Sequence, residues 1–544
     1  MTDYSSSTEA SIHEDKIRSV LSIAESDIHD SNDHITTILS PTSNKEVVLS
    51  DDIDDAMKLA IEARDLEVTP KQDWKLVKKI DLYLFPLLSL QYAMQFLDKT
   101  STGLAAIMGL REDLKMHGEQ YATSASLFYY AYILGLFVLP PLLQKTKHLS
   151  PALCTIIIIW GLIQTVQSAP KLNYAGFCVL RFFLGFFESA ITPAFTVITC
   201  QYYKKSEQYL RMCMWFGSNG LGAILGNAIS VGLIKHTEDG GSYAINPWKL
   251  LFLITGLMSI FLAFIMIFHV PSDPSKAWFF SKREKLMVVK RIQGNQQGFG
   301  NHHWKWNQFK EALRDWRTWA YFAYAVSFNI PNGALTNFQS ILIKGEFGFS
   351  TLKTLEMNMI GGAVEFIGVP FFALLHTLLH NRGYRFFGDR LIMACFVNIV
   401  VAVAACMLAF AEDKYAKLAG VYMTRVSSVA FVCVLSNIGS NTLGYTKKWT
   451  VTALYMLAYG ASNIAGTHTF ITKQAPQYLG GKISIVVCYF AGCFILMLIW
   501  LGNMRENKRR DKWAEEHPEE GANVENLAFH DLTDFENPQF RYAL

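Results

Sequence analysis

The sequence contains little charge for its length. Of its 544 residues, 17% are Asp, Glu, Lys or Arg, whereas 51% are hydrophobic and 13% are aromatic. Soluble proteins carry roughly 25% charged residues on average. This composition excludes a chain built from several soluble domains and indicates one that is embedded in a lipid bilayer.

Motifs of the common enzyme and pump classes are also missing. The sequence has no GxxxxGK[ST] phosphate-binding loop, which argues against an ATP-driven pump, and no nucleophile elbow. None of its nine cysteines forms a CxxC pair, and no spacing suits a metal ion. The cysteines lie in or beside apolar runs, where they are typical packing residues. We therefore expect neither enzymatic activity nor a metal or other cofactor.

The first 70 residues differ from the rest of the chain. They hold sixteen acidic and five basic residues, a net charge of −11, with frequent Ser and Thr. Such a composition predicts a disordered acidic tail. No basic stretch followed by an apolar core is present, so we expect no cleaved signal peptide and assign targeting to the first spanning helix.

Apolar runs long enough to cross a bilayer recur through the remainder. A spanning helix needs about twenty largely apolar residues. Six runs precede a polar linker (271–316) and six follow it, before a tail at 504–544. The sequence thus predicts an all-α membrane protein with twelve transmembrane helices, six within 71–270 and six within 317–503. The runs lie near 80–97, 122–143, 152–169, 174–198, 211–234, 248–270, 317–342, 354–379, 389–410, 416–442, 449–470 and 482–502.

Basic residues are distributed unevenly between the loops. Twenty-nine Lys and Arg lie on the side that holds both tails, against twelve on the other side. Because cytoplasmic loops carry the excess of Lys and Arg, both tails are predicted to be cytoplasmic. The stretch 271–317 alone holds ten basic and four acidic residues. For this stretch we favour a solvated linker with a short interfacial helix over a lipid-specific site.

Ionisable residues inside the predicted spans are candidates for function. Each costs roughly 2.5–3.5 kcal/mol to insert on translocon-based scales, so each needs a reason to be there. Five such residues stand out: Asp98, Arg181, Glu188, Glu365 and Arg425.

Arg181 and Glu188 share one face of the fourth span. Seven residues separate them, which places them within about 20° around the helix and about 10.5 Å apart along its axis. Burial favours the protonated carboxyl and a nearby guanidinium favours the ionised one, a balance suited to a group that exchanges protons. We favour this role over an inert pair that fixes helix packing.

Polar residues of the first span form a stripe. Gln91, Gln95 and Asp98 follow i, i+4, i+7 spacing, so they face the protein interior. Asp98 and Lys99 either mark the end of the span at the membrane interface or take part in gating.

Two later spans also carry candidate polar groups. The seventh contains Asn329-Ile-Pro-Asn332-Gly and then Asn337, where proline and glycine predict a break or a kink. Broken helices that carry amides often border transporter solute sites, although a simple kink with packing amides is the alternative. The eleventh span offers Asn463 and His468, and the histidine is either a packing residue or a proton relay.

The segment Arg181-Phe-Phe-Leu-Gly-Phe-Phe-Glu188-Ser-Ala-Ile-Thr-Pro193 resembles a family signature. It is similar to the fourth-helix motif of the anion:cation symporter family, within the major facilitator superfamily. The closer resemblance is to the fungal allantoate permease group. It covers residues 50–544 and departs from the pattern at Gly466-Thr467-His468 and at Arg425. The matching segments are FLDK (96–99), MGLREDLKMHGEQY (108–121), SKREKLMVVKRIQGNQQGFGNH (281–302), SNIGSNTLGYTKKWT (436–450) and DLTDFENPQFRY (531–542).

The resemblance implies a fold and a mechanism. Two six-helix bundles would alternate access to a central cavity lined by spans 1, 4, 7 and 10. Proton-coupled import of organic anions is implied, with Glu188 as the coupling carboxylate and Arg181 as its partner.

We therefore predict a plasma-membrane proton symporter that imports a small carboxylate: allantoate, ureidosuccinate, a related amidic acid or a short peptide. Its partners would be this anion, protons and the lipid bilayer, and not nucleic acid. Importers of another anion, such as a vitamin carboxylate or a sulfur compound, and a transporter-like nutrient sensor are the alternatives. Asp98 and Glu365 are gating or second coupling candidates, and a structural pair between Arg425 and Glu365 is the alternative to substrate binding by Arg425. The predicted substrate-binding residues are Arg181, Arg425, Gln95, Asn329, Asn332, Asn337, Asn463 and His468.

Overall fold

The structure is a computed structural model that describes residues 36–39, 46–49, 66–144, 146, 148–272, 274–293, 305–384, 388–516, 533–535 and 540–544. Near the N-terminus, strand Thr36–Leu39 pairs antiparallel with strand Glu46–Leu49, with Thr36 opposite Leu49. The rest of the predicted tail (residues 1–70) lies outside the described residues at 1–35, 40–45 and 50–65, whereas residues 66–69 are described and precede a helix that begins at Pro70.

Twelve long helical segments, numbered here as spans 1 to 12, make up most of the described chain. Spans 4 and 10 each consist of two helices. In chain order the spans are Phe85–Ile107, Gln120–Gln144, Leu149–Val166, Tyr174–Glu188 with Ile191–Tyr202, Lys205–Glu238, Pro247–His269, Trp316–Phe347, Thr351–Asn381, Arg390–Phe410, Lys414–Met423 with Ser428–Asn441, Tyr445–Thr469 and Leu479–Glu516.

Nine spans in the described part of the chain are long and apolar enough to cross a membrane by composition alone. Spans 1, 7 and 11 are not among these nine, because their mean hydropathy is lower. Each of them carries buried polar side chains, for example Gln91, Asn329 and Asn463. Such groups lower the mean hydropathy of a span without meeting lipid, because they face the protein interior.

Span 1 lies further along the chain than its hydropathy suggested. The apolar run ended at residue 97, but the helix continues to Ile107. Asp98 and Lys99 are consequently buried within the helix. The interpretation that these two residues mark the end of the span at the membrane interface is corrected.

Spans 4 and 10 are interrupted near their middle. The first helix of span 4 ends at Glu188, and the second begins at Ile191. Pro193 has no N–H to donate to the carbonyl of Ser189, which weakens the helix at this point. Span 10 changes to a 3-10 turn at Thr424–Ser427, which contains Arg425. Both interruptions therefore place a charged residue where the helix is irregular.

Close backbone approaches join the two halves. A Cβ added to Gly220 in span 5 would lie 2.3 Å from the carbonyl oxygen of Gly362 in span 8, and a Cβ on Gly362 would lie 2.7 Å from that of Gly220. Small residues permit such contacts between membrane helices. Spans 2 and 11 also meet, with the Ser126 and Thr467 hydroxyls 2.6 Å apart.

Shorter helices lie outside the spans. One, Pro70–Tyr83, begins with a capping box between Thr69 and Gln72 and leads into span 1. Arg291 bonds to Asp73 of this helix and to Glu207 at the start of span 5, and so ties the linker to the first half. The others are the linker helices Lys282–Gln293 and Trp306–Arg314, the four-residue helix Leu110–Asp113, and the 3-10 turns Pro274–Lys276 and Thr472–Gln474.

The last described residues, 533–535 and 540–544, fold back against the second half. Asp534 pairs with Lys447 at 2.8 Å and accepts a hydrogen bond from the Tyr542 hydroxyl at 2.6 Å. The backbone N–H of Ala543 donates to Asn441 at the end of span 10. The tail thus connects spans 10, 11 and 12, because Arg510 of span 12 also donates to the Asp534 carbonyl.

Candidate functional site

A central cavity lies between the two halves of the protein. Residues from both halves line it, and aromatic rings make up much of its wall, with a few polar and charged groups between them. The lining residues are Tyr92, Gln95, Phe96, Lys99, Tyr132, Thr192, Phe216, Asn219, Phe328, Asn332, Leu335, Thr336, Glu365, Thr424, Arg425, Ser427, Ser428, Phe431, Met456, Tyr459 and Tyr489.

Glu188 forms a buried ion pair with Lys99. The Lys99 Nζ lies 3.3 Å from Glu188 Oε1, and Gln95 Nε2 donates to the same oxygen at 3.3 Å. The carboxylate is fully buried, whereas Lys99 reaches the cavity wall. Lys99 also donates to the Tyr459 hydroxyl of span 11 at 3.2 Å, so one ammonium group connects the coupling candidate, the cavity and the opposite half.

Arg181 lies elsewhere than the sequence suggested. It is 1% exposed and does not line the cavity. Its guanidinium carbon stands 4.9 Å from the centre of the Phe128 ring, a cation–π contact. Its Nε and Nη1 have no hydrogen-bond partner among the described residues. The seven-residue spacing does place Arg181 and Glu188 on one side of the helix. The partner of the Glu188 carboxylate, however, is Lys99 and not Arg181 as expected.

Asp98 faces away from the cavity into the first bundle. Its carboxylate is fully buried and accepts a hydrogen bond from Ser259 of span 6 at 3.3 Å. Ser101 donates to the Asp98 carbonyl at 2.6 Å. Asp98 therefore lies next to Lys99 in the chain but in a different environment, away from the lining.

A second ion pair, between Glu365 and Arg425, lies in the other half and lines the cavity. Arg425 Nη1 stands 3.5 Å from Glu365 Oε2, and its Nη2 donates to Gln339 at 2.6 Å. Ser428 donates to Glu365 at 3.4 Å. Both members of the pair belong to the lining, so the structural pairing and the cavity position expected for Arg425 occur together.

The amides of span 7 divide into two groups. Asn332 lines the cavity and donates to Asn463 of span 11 at 2.9 Å. Asn329 and Asn337 instead donate to carbonyls of their own helix, those of Ala325 and Gly333. These two, and Asn463, are not part of the lining.

Pro331 does not break span 7, which runs as one helix from Trp316 to Phe347. The packing role therefore describes Asn329 and Asn337 better than a solute-binding role does. His468 is exposed, its Nε2 lies 3.0 Å from the Ser126 hydroxyl, and it is outside the lining.

The sequence analysis missed Tyr459 and Gln339, and it considered Lys99 only for gating and not as the partner of Glu188. Lys99 carried a signal, since a lysine beside a carboxylate at the end of an apparent span also fits a longer, partly polar span. Tyr459 and Gln339 carried none, because their roles depend on contacts between spans that are distant in sequence.

Two further hydrogen bonds between the halves lie on one side of the cavity. The Tyr121 hydroxyl donates to the Asn337 carbonyl at 2.8 Å, and Lys344 Nζ donates to the Ile107 carbonyl at 3.3 Å. Both contacts lie at the ends of the spans that are remote from helix Pro70–Tyr83. These hydrogen bonds are therefore on the side opposite this helix, and a contact of 2.8 Å between the Tyr209 hydroxyl and Cys433 Sγ joins the halves toward the other side.

Comparison with known proteins identifies the family. Residues 88–467 match the Major Facilitator Superfamily. The chain belongs to the major facilitator superfamily. This facilitator is accordingly a membrane transporter and not an enzyme, and the predicted fold of twelve transmembrane helices in two bundles is confirmed.

Named relatives narrow the group. The facilitator is 51% identical to the allantoate permease of Saccharomyces cerevisiae, over 94% of this chain and 93% of the relative, which confirms the predicted resemblance. It is 32% identical to a thiamine pathway transporter over 86% of each chain. It is 27% identical to a high affinity cysteine transporter, over 93% of this chain and 98% of the relative. Both belong to the same yeast.

Solved structures agree on the fold. The proton:xylose symporter XylE, bound to a deoxyglucose derivative, matches with a TM-score of 0.59 over 77% of this chain and 96% of its own, at 11% identity. A bacterial homologue of the lysosomal transporter Spinster, inward-facing and occupied, matches with a TM-score of 0.52 over 79% of this chain and 97% of its own, at 13% identity.

Proposed function

We propose that this facilitator is a proton-coupled importer of a small organic anion, with allantoate as the first substrate to test. One observation carries the proposal: each half of the protein contributes one cation to the cavity wall, and each cation is paired with a buried carboxylate. Lys99 pairs with Glu188, and Arg425 with Glu365.

This pairing suits the exchange of one anion for another. When a carboxylate is protonated, it no longer balances its cation, and the cation then needs a new anionic partner. A substrate carboxylate can supply that partner through a charge-assisted contact, which arginine makes in bidentate form. Protonation of Glu188 would thus raise the affinity of Lys99 for the anion, and coupling would follow from charge balance.

Lys99 also connects the two halves through Tyr459. If the substrate draws Lys99 away from Glu188 or from Tyr459, the contact between the halves changes at the same time. Binding would therefore bias the equilibrium between the two open states, which is the condition for alternating access.

The substrate assignment is supported by the identity of 51% to the allantoate permease. Allantoate carries one carboxylate and two ureido groups, so it needs cations and amides together. The lining offers both, because Gln95, Asn219 and Asn332 stand among the charged residues. The relatives named for the thiamine pathway and for cysteine are less similar, at 32% and 27%, and we place their substrates second.

Orientation and location complete the proposal. The excess of Lys and Arg on the side of the tails favours cytoplasmic termini, and an importer of nutrients belongs in the plasma membrane. The contacts of Tyr121 and Lys344 between the halves would then lie toward the extracellular side.

Glu188→Gln tests the mechanism, because it removes the negative charge permanently. In a yeast strain without its own permease, the variant should exchange labelled allantoate across the membrane in counterflow. It should fail to accumulate allantoate against a gradient, and its uptake should lose most of its dependence on external pH.

Glu346→Gln is the matched control. Glu346 is another buried carboxylate, but it pairs with Lys417 and Lys482 and is not part of the lining. This variant should keep accumulation. Concentrative, pH-dependent uptake by Glu188→Gln would exclude Glu188 as the coupling group, and absence of allantoate counterflow in the unaltered protein would exclude the substrate.

A further inference from the structure

Helix Pro70–Tyr83 presents a basic face whose lysines form no salt bridge with the described residues. Lys71, Lys75 and Lys78 are exposed along one side of it. None of them forms a salt bridge with a residue that the structure describes. The opposite side of the helix is buried through Leu76 and Ile80, so the helix is fixed in place while its lysines face outward.

Linker helix Lys282–Gln293 extends this basic face. Lys282 and Arg283 at its start are exposed and also form no salt bridge with described residues. The two helices are held together by the pair Lys79–Glu284, at 2.8 Å. Together, Lys71, Lys75, Lys78, Lys282 and Arg283 form what we call the basic platform.

The acidic residues of these helices do not neutralise the platform. Asp73 pairs with Lys204 at 2.9 Å and with Arg291, and Asp81 pairs with Arg211 at 3.0 Å. Partial burial alone would raise the pKa of Asp73, but the hydrogen bonds from Arg291 and Lys204 outweigh it and hold this pKa below its ordinary value. The Asp73 carboxylate is therefore ionised, and both carboxylates already pair with cations outside the platform.

Large apolar side chains lie among and beside these cations. Trp74 is 57% exposed, and the Lys78 ammonium stands 3.8 Å from the centre of its ring. Leu82 is 70% exposed, and Trp278, which packs edge-on against Tyr83, is 58% exposed. Tryptophan and lysine on one helix face are typical of segments that lie in the headgroup region of a membrane.

We propose that the basic platform binds the headgroups of anionic phospholipids in the leaflet on the side of the tails. Charge complementarity and the exposed Trp74 favour a lipid over a soluble partner. The helix also leads at Leu84 into span 1, which keeps it at the bilayer surface. Through Asp73, Lys204 and Arg291 the platform connects to the junction of spans 4 and 5, so bound lipid would stabilise the first bundle.

Thermal unfolding of the purified full chain in neutral detergent tests the proposal without any transport measurement. Phosphatidylglycerol should raise the unfolding midpoint at low salt, and phosphatidylcholine at the same mole fraction should not. The shift should shrink in about 1 M salt, where screening acts within about 3 Å. Lys71→Gln, Lys75→Gln and Lys78→Gln together should weaken the apparent affinity for phosphatidylglycerol on the order of a hundredfold, at about fivefold per cation.

A matched triple variant controls for the loss of charge. Lys353, Arg509 and Lys512 are exposed cations that already pair with Glu356, Glu506 and Glu516. Their replacement by Gln should leave the shift intact. Trp74→Ala should reduce it, because the apolar anchor is lost.

Three results would overturn the proposal. The first is an equal phosphatidylglycerol shift in the platform variant and the unaltered protein. The second is the same shift with inositol hexakisphosphate, which would indicate a soluble-anion site. The third concerns a chain without residues 1–60: if this deletion alone changes the salt dependence as the platform variant does, the acidic tail occupies the platform.

Discussion

Replacement of Lys99 by Gln should lower the free energy of unfolding more than replacement of the control cation, Lys344. The ammonium and the Glu188 carboxylate are 3.3 Å apart, and both side chains are buried. At an effective dielectric constant of about 20, this distance corresponds to an attraction of about 5 kcal/mol. Removal of one partner from a buried pair typically costs about 3–5 kcal/mol.

We expect a cost near the lower limit, about 3 kcal/mol. Gln95 continues to donate to Glu188 after the substitution, and this contact compensates part of the lost charge. Tyr459→Phe removes only the hydrogen bond between Lys99 and the tyrosine hydroxyl, and should cost about 1 kcal/mol.

A double-mutant cycle of unfolding free energies in detergent measures the interaction. Lys99→Gln with Glu188→Gln should be less unstable than the sum of the single variants by about 2 kcal/mol, because neither charge is then left unpaired. Lys344→Gln is the control, since Lys344 bonds to a neutral carbonyl and should cost about 1.5 kcal/mol. Strict additivity in the cycle would refute the ion pair.

Other substitutions test the remaining features. Arg425→Gln should weaken the affinity for allantoate about tenfold to a hundredfold, measured by competition in counterflow. Normal surface expression of the variant would separate this effect from misfolding. If expression is impaired and Glu365→Gln restores it, Arg425 has a structural role instead. Asp73→Asn should lower the unfolding midpoint at pH 7. Because the folded-state pKa of Asp73 lies below its unfolded pKa of about 3.8, the stability that Asp73 contributes is present above pH 3.8 and is lost as the pH falls below it. The difference in midpoint between the variant and the unaltered protein should therefore vanish on acidification, and an unchanged difference at pH 3 would contradict this. Deletion of residues 533–544 should lower the unfolding midpoint, since it removes the contacts of Asp534 and Tyr542. Deletion of residues 1–60 should leave uptake per surface molecule near normal. An unchanged midpoint in the first deletion, or a loss of uptake in the second, would contradict the respective expectation.

Hydropathy located most of the spans but failed where a helix is partly polar. Span 1 was placed at 80–97 because Asp98 and Lys99 interrupt the apolar run, yet the helix extends to Ile107. The same polar residues that reduce the hydropathy of this span form the site. The polar residues in the least apolar spans therefore indicate where the site lies. A search for apolar runs alone does not detect them.

Helical spacing predicted faces correctly and contacts less well. Gln95 does face the cavity, and Arg181 and Glu188 do share a side of span 4. The direction of the Arg181 side chain toward Phe128 depends on how spans 2 and 4 pack, which a single sequence does not contain. The Glu365–Arg425 pair was expected from the opposite charges alone. Charge was sufficient because the spans contain few ionisable residues with which Arg425 could pair.

Six ionisable side chains that lie away from the ends of the spans have an electrical consequence. Asp98, Glu188 and Glu365 are balanced by Lys99, Arg181 and Arg425, so with all six ionised the group carries no net charge. One elementary charge moved through a membrane potential of 100 mV changes the energy by about 2.3 kcal/mol. The empty carrier should therefore reorient without regard to voltage. Any current during uptake would then reflect the protons in excess of the substrate charge, and the ratio of current to labelled uptake in voltage-clamped oocytes would give the stoichiometry.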